Sequence, residues 1–289
     1  AGTRLQAVSS LLRNSSIELS TNGESAIRKA SEILPPGMPV YVPKIPRQTL
    51  QDKLVQLRLL HKYGLDPIPH IVARQLSSRQ ELSDFLGQAI AEAGVRRVLI
   101  IGGDADVALG PYADSGSVLA SGVLQEVGIR VVDVAGYPDG HPTIPAHVLA
   151  ADLEKKARFA EDHGFDLNVV TQFSFEPENI VAFCADLATE IPGVPVYAGL
   201  AGPTSPAKLL RFARTCGVGT SLRAANKLGL DALKLATHSN PDKQFEILAE
   251  HKAAAATGNL AGIHLFSFGG FADSSRWLDD KARLAGVRS

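Results

Sequence analysis

RVVDVAGYPDGHPTIPAHVLAADLEKKARFAEDHGFDLNVVTQF, residues 130–173, reads as one complete β-α-β unit. Arg130–Ala135 is a short apolar run rich in β-branched residues, as a strand requires. Glycines and prolines then hold a turn. Pro145–His163 repeats its apolar positions with the period of a helix, and Leu167–Phe173 is a second apolar run. The same alternation extends in both directions. Further runs stand at Ser16–Leu19, Val40–Pro43, Ile68–Val72, Arg97–Ile101, Val194–Leu200 and Gly262–Phe268, with helical stretches such as Thr49–Tyr63 and Ser78–Ala93 between them. Eight strands with crossover helices close a barrel. No strand is followed by a G-x-G-x-x-G turn, and polar residues cluster just after the runs, where barrel loops carry a site. Between Thr220 and Gly258 the period is irregular, with Ser221–Leu228 and Pro241–Thr257 helical in pattern, which predicts an extra helix before the eighth strand. The fold expected is α/β, one (β/α)₈ TIM barrel over residues 1–289, since no linker, low-complexity tract or internal repeat marks a second domain.

Composition bounds the partners. Charged residues are 20% of the chain and balance to a net charge of -1, so nothing attracts nucleic acid or anionic lipid as a whole, and small molecules or other subunits are expected. The two cysteines, Cys184 and Cys216, have neither C-x-x-C spacing nor a neighbouring histidine pattern, which indicates no disulfide framework and no metal site. No signal-peptide layout and no membrane-length apolar run is present, and the chain reads as cytoplasmic.

Several strand ends carry groups capable of chemistry. After the fourth run stands Gly102-Gly103-Asp104-Ala105-Asp106. Its glycines let a ligand approach the backbone beside carboxylates, although a tight turn capped by an Asp uses the same residues. After the fifth run, Tyr137, His141 and the later Asp152 offer an aromatic face, a ring nitrogen and a carboxylate, suited to a planar cofactor bearing hydroxyls. At the sixth, Gln172 and Phe173 put an amide and a ring on the rim. An amide donates and accepts at once, as recognition of a pterin or flavin edge needs, and a glutamine capping the core is the structural alternative.

Taken together these stretches resemble the methylenetetrahydrofolate reductase family over nearly the whole chain. That family's Gly-Asp after strand four is matched by Gly103-Asp104, its Ala-x-Tyr-Pro-x-x-His-Pro by Ala135 to Pro142, and its Ala-Asp-Leu by Ala151-Asp152-Leu153. Its Ile-Thr-Gln-Phe-x-Phe is matched by Val170 to Phe175, and its Pro-His after strand three by Pro69-His70. The resemblance implies interconversion of 5,10-methylenetetrahydrofolate and 5-methyltetrahydrofolate, with hydride passing from NADH or NADPH through FAD. It places Glu18, in Ser16-Ile17-Glu18-Leu19, as the catalytic acid. Opening the methylene bridge to an iminium takes a proton, and a carboxylic acid at an apolar strand end fits that task. Glu18 could instead pair with Lys44 or Arg47. For the flavin the match carries over His70, Gly103, Asp104, Tyr137, His141 and Asp152; for the folate, Gln172, Asp104 and Phe173. Asp104 would also stabilise the cationic iminium.

The departures concern the flavin more than the barrel. After Glu18 the family's aromatic residues and Pro-Pro pair are replaced by Leu19-Ser20-Thr21-Asn22. The Arg that precedes its Gly-Asp is Gly102, and its helix Lys falls at Phe159 or Ala160, with Lys155 and Lys156 about one turn away. Each lost charge-assisted bond would weaken flavin binding by about 1 to 3 kcal/mol, so FAD is expected to be weakly held. The family's Asn-Arg after strand eight is replaced by Phe268-Gly269-Gly270-Phe271. Two alternatives remain beside the flavin-dependent enzyme: a flavin-free reductase of the same family, and a non-redox folate-binding barrel for one-carbon transfer.

Overall fold

The computed structural model describes residues 3–20, 23–45, 47–215, 240–255, 258–268 and 270–288. Eight parallel strands follow one another around a closed barrel in sequence order. They are β1 Ser15–Glu18, β2 Pro39–Val42, β3 Asp66–Val72, β4 Arg97–Ile101, β5 Val131–Gly136, β6 Asp166–Thr171, β7 Val196–Ala201 and β8 Leu260–Phe266. Every run expected from the sequence is one of these strands, with ends that differ by two residues at most.

Helices occupy the connections, and their ends follow local chemistry. Thr49 caps helix Leu50–Lys62 in a reciprocal box with Asp52, satisfying two donors that the first turn leaves open. Ser78 caps helix Arg79–Ala93, which stops at Gly94 in the left-handed region. Between β7 and β8 lie helices Pro206–Thr215 and Asp242–Ala254, the second being the Pro241–Thr257 stretch read as an extra helix. The other stretch, Ser221–Leu228, lies outside the described residues, as do Cys216, Thr21, Asn22 and Gly269. Cys184 is buried, and desolvation pushes its thiol up to about 12, so it behaves as a core group. Among the described residues no helix is long and apolar enough to cross a membrane.

Contacts divide the chain into two compact units, one of residues 1–21, 136–151 and 170–289, the other of 22–135 and 152–169. In the first, β1 and β7 flank β8, with Ser16 opposite His264 and Gly199 opposite His264 in register. Phe173, Ala201, Leu209 and Phe268 form a buried cluster there, with Phe175 and Phe266 packed against it. In the second, β2 to β5 are paired in order. Their apolar side chains, among them Val40, Ile68, Ile71, Val98, Ile100, Val132 and Val134, are buried on both faces, as a parallel sheet covered by helices requires. Polar groups interrupt this interior at Tyr41, Asp133 and Asn168.

Candidate active site

In the first unit the acid expected from the sequence ends β1. Only 18% of the Glu18 side chain is exposed. Ser16 and Glu18, two residues apart on one strand, project to the same face, and His264 stands beside them on β8. His264 Nε2 lies 3.8 Å from Glu18 Oε2, while His264 Nδ1 is 2.8 Å from the Ser16 hydroxyl. The Ser267 hydroxyl donates to the Glu18 carbonyl and contacts Ser20 Oγ at 2.9 Å, fixing the backbone that carries the acid. The edge of Phe266 packs against the His264 ring, 4.8 Å between centroids.

The loop after β5 carries Tyr137 and His141, whose rings meet edge to face at 5.1 Å. His141 Nδ1 accepts from the backbone N–H groups of Thr143 at 3.2 Å and Ile144 at 3.3 Å, which leaves Nε2 as the protonated nitrogen of the neutral ring. Asp139 in the same loop accepts from Ser174 Oγ and Asn179 Nδ2, both at 2.8 Å. Burial raises its carboxyl above the usual range, and the two hydrogen bonds oppose that shift. Asp139 therefore ties the β5 loop to the segment after β6. That segment holds Gln172, whose N–H donates to the Gly136 carbonyl and whose Oε1 accepts from the N–H of Phe173 at 3.2 Å. With its oxygen so engaged, the Gln172 side chain presents N–H donors. Phe173 is 1% exposed and packs on Phe175, Phe266 and Phe268, so it supports the rim from beneath, while Phe175 and Phe266 are the half-buried rings.

In the second unit His70 is a buried residue of β3, edge-on to Tyr41 at 6.1 Å. Its carbonyl accepts from Lys53 Nζ at 2.6 Å. Gly103 has φ +93, and a Cβ there would stand 2.5 Å from Val72 Cγ1. Glycine is thus required by the backbone and its neighbour, whatever approaches from outside. Asp104 is exposed in the loop that follows. Arg74 holds that loop by donating from Nη1 to the Ala105 carbonyl at 2.7 Å and from Nε to the Ala113 carbonyl at 2.8 Å. Gly102 lies outside the left-handed region, and a Cβ there would meet nothing within 4 Å. Asp152, with 45% of its side chain exposed, is hydrogen-bonded to Lys156, four residues on along the helix.

These arrangements bear on FAD. The aromatic and neutral candidates are Tyr137 and His141 in the loop after β5, and His70 on β3. In the second unit, however, Arg74 is engaged by loop carbonyls and Lys156 by Asp152, while Gly102 stands where an arginine was expected. The residues do not make up the charge-assisted contact set of a tightly held dinucleotide.

Sequence reasoning missed Ser16, His264, Asp139 and Lys53. A histidine inside an apolar strand and an Asp-x-x-x-Lys spacing on a helix were the available signals for His264 and for the Asp152–Lys156 pair.

A protein from Clostridium thermocellum that binds two copies of 5-methyl-5,6,7,8-tetrahydrofolic acid has a similar fold, with a TM-score of 0.56 at 14% identity over 95% of each chain. Dihydropteroate synthase from Thermus thermophilus gives 0.48 at 13% identity, covering 94% of this chain and 91% of that one. At these identities the first likeness speaks for the barrel alone. The sequence itself matches methylenetetrahydrofolate reductase over residues 26–234, a span that includes His70, Gly103, Asp104, Tyr137, His141, Asp152 and Gln172 but neither Glu18 nor His264. That match covers well over half of the chain, and with it this barrel belongs to the methylenetetrahydrofolate reductase family, a folate-related family of enzymes.

Proposed function

We propose that this protein reduces the methylene bridge of 5,10-methylenetetrahydrofolate to give 5-methyltetrahydrofolate, with NADH or NADPH as the source of hydride and Glu18 as the acid. The observation that carries the reading is the placement of Glu18: a mostly enclosed carboxyl at the end of β1, beside His264, suited to give the proton that opening a methylene bridge requires. Glu18 gives its proton to the bridge nitrogen N10, the ring C–N bond breaks, and the carbon becomes a cationic N5 iminium. Hydride then adds to that carbon and completes the methyl group. Asp104 is the carboxylate suited to stabilise the cation, and the N–H donors of Gln172 suit an acceptor edge of the pterin. The Clostridium thermocellum neighbour, which binds 5-methyltetrahydrofolic acid, supports a reduced folate as the ligand class.

FAD enters this reading as a weakly held group, with Tyr137 and His141 as the candidates on the loop after β5, and no step is assigned to it. A second reading, in which the nicotinamide gives hydride directly to the folate, is favoured by the Asp152–Lys156 pair and by Gly102. Both readings share the acid. Glu18→Gln keeps the shape of the side chain but has no proton to give, so methylene-folate-dependent oxidation of NADH or NADPH should fall by at least about 100-fold. Unchanged turnover in that variant would rule out Glu18 as the acid.

A further inference from the structure

We propose that His264, its tautomer fixed by Ser16, is the positioning residue of the acid, presenting Nε2–H to the Glu18 carboxyl. The inference rests on the reading of Glu18 as proton donor. It begins with register: β1 and β8 are parallel neighbours with Ser16 directly opposite His264, and both side chains are buried. The Ser16 hydroxyl has two acceptors within reach, His264 Nδ1 at 2.8 Å and the Ile263 carbonyl at 3.5 Å. The Glu18 carboxyl beside Nε2 favours a proton on that nitrogen, and the Ser16 hydroxyl completes this tautomer by donating to Nδ1. A neutral ring that accepts at Nδ1 carries its proton on Nε2. That nitrogen lies 3.8 Å from Glu18 Oε2, a separation for charge–dipole attraction rather than for a full hydrogen bond. The edge of Phe266 borders the ring, and these buried surroundings screen the attraction far less than bulk solvent does.

The consequence is chemical. Once Glu18 has given up its proton it is a carboxylate, and an N–H aimed at it stabilises that product of the transfer. The opposite tautomer would turn a lone pair toward the new negative charge. His264 therefore acts through Glu18, holding the carboxyl in place and favouring its ionised form at the moment of transfer.

Two substitutions separate this role from simple core filling. In His264→Gln the longer amide side chain carries an N–H near the place of Nε2. In His264→Asn the shorter one ends near the place of Nδ1, so the bond to Ser16 is kept and the group facing Glu18 is lost. We expect His264→Asn to lower kcat by about 10-fold or more with KM within about two-fold, and His264→Gln to recover most of the rate. Thermal unfolding and circular dichroism check that both variants fold. Equal loss in both variants, or wild-type kcat in His264→Asn, would overturn the role. Nitrogen-15 NMR of the histidine rings supplies a measurement that needs no turnover. The His264 resonance, assigned by its loss in His264→Gln, should show protonated Nε2 and bare Nδ1, with the preference weakened in Ser16→Ala. A protonated Nδ1 would overturn the proposal even in an active enzyme. Turnover that survives Glu18→Gln would instead remove the reading on which it rests.

Discussion

The hydroxyl of Tyr41 donates to the carboxylate of Asp133 at 2.7 Å, a bond made where Asp133 has no exposed surface. The same carboxylate accepts from Arg97 Nε at 2.7 Å and from Asn168 Nδ2 at 3.0 Å. A buried charge is tolerable only when paired and hydrogen-bonded, and here β2, β4, β5 and β6 each supply one member of the network. Asp133→Ala removes the acceptor for three donors and should cost about 3 to 5 kcal/mol in urea unfolding. Tyr41→Phe, which removes one neutral donor, should cost about 1 to 2 kcal/mol. A loss below about 1 kcal/mol in Asp133→Ala would show that the network contributes little to stability.

Lys53 is buried on helix Leu50–Lys62, and desolvation, followed by the charge of Lys44, lowers its amine to about 7. Below pH 7 both folded and unfolded chains hold the proton, and the folded protein bears the whole cost of an enclosed charge. Between pH 7 and 10.5 the unfolded chain holds a proton that the folded chain lacks, so the penalty fades as pH rises. The bond from Nζ to the His70 carbonyl offsets part of it. Lys53→Met should therefore be more stable than the parent at about pH 6 by about 2 to 4 kcal/mol, with the difference shrinking toward about pH 10. Unfolding curves at the two pH values check this; a difference independent of pH would mean that the amine does not titrate in that window.

These two networks also mark where sequence reading ends. The strands were legible because β-branched runs and helical periods alternate without interruption, whereas Glu18 was picked out by the family resemblance and not by its own strand's pattern. His264 is 248 residues from Ser16, and their contact exists only once the barrel brings β8 beside β1. Lys53 looks like an ordinary polar helix position until the helix is seen to bury it against β3. Gly103 was read as making room for a ligand, yet its positive φ and the nearness of Val72 already demand glycine. A side chain's local pattern reveals its element; its partner across the fold does not appear in that pattern.

Asp139 should govern activity without touching substrate. Its two hydrogen bonds hold the loop bearing Tyr137 and His141 to Ser174 and to Asn179, close in sequence to Gln172. Displacement of such a loop by an ångström is enough to cost about 10- to 100-fold in rate. Asp139→Ala should lower kcat/KM for methylene-folate by about that factor, whereas Asp139→Asn, whose amide oxygen still accepts both bonds, should stay within about three-fold of the parent. If the two variants fall equally, the negative charge matters rather than the clamp.

The cofactor supplies the last and most exposed prediction. FAD is expected to quench only weakly on titration into the protein, with half-saturation at roughly tens of micromolar or above, since among the described residues Lys156 is engaged by Asp152 and Gly102 stands where an arginine was expected. Gly102→Arg tests the cause. Gly102 has open space around its would-be Cβ and an ordinary backbone conformation, so an arginine can be placed there without strain. One charge-assisted bond of about 1 to 3 kcal/mol corresponds to a Kd lower by roughly 5- to 150-fold. Flavin fluorescence measures both proteins directly, and turnover with and without added FAD shows whether occupancy matters. If the parent shows no quenching at tens of micromolar FAD and turns over fully without it, hydride must pass from the nicotinamide straight to the folate. In that outcome Gly102→Arg would bind flavin without gaining rate, because hydride would not travel through the flavin.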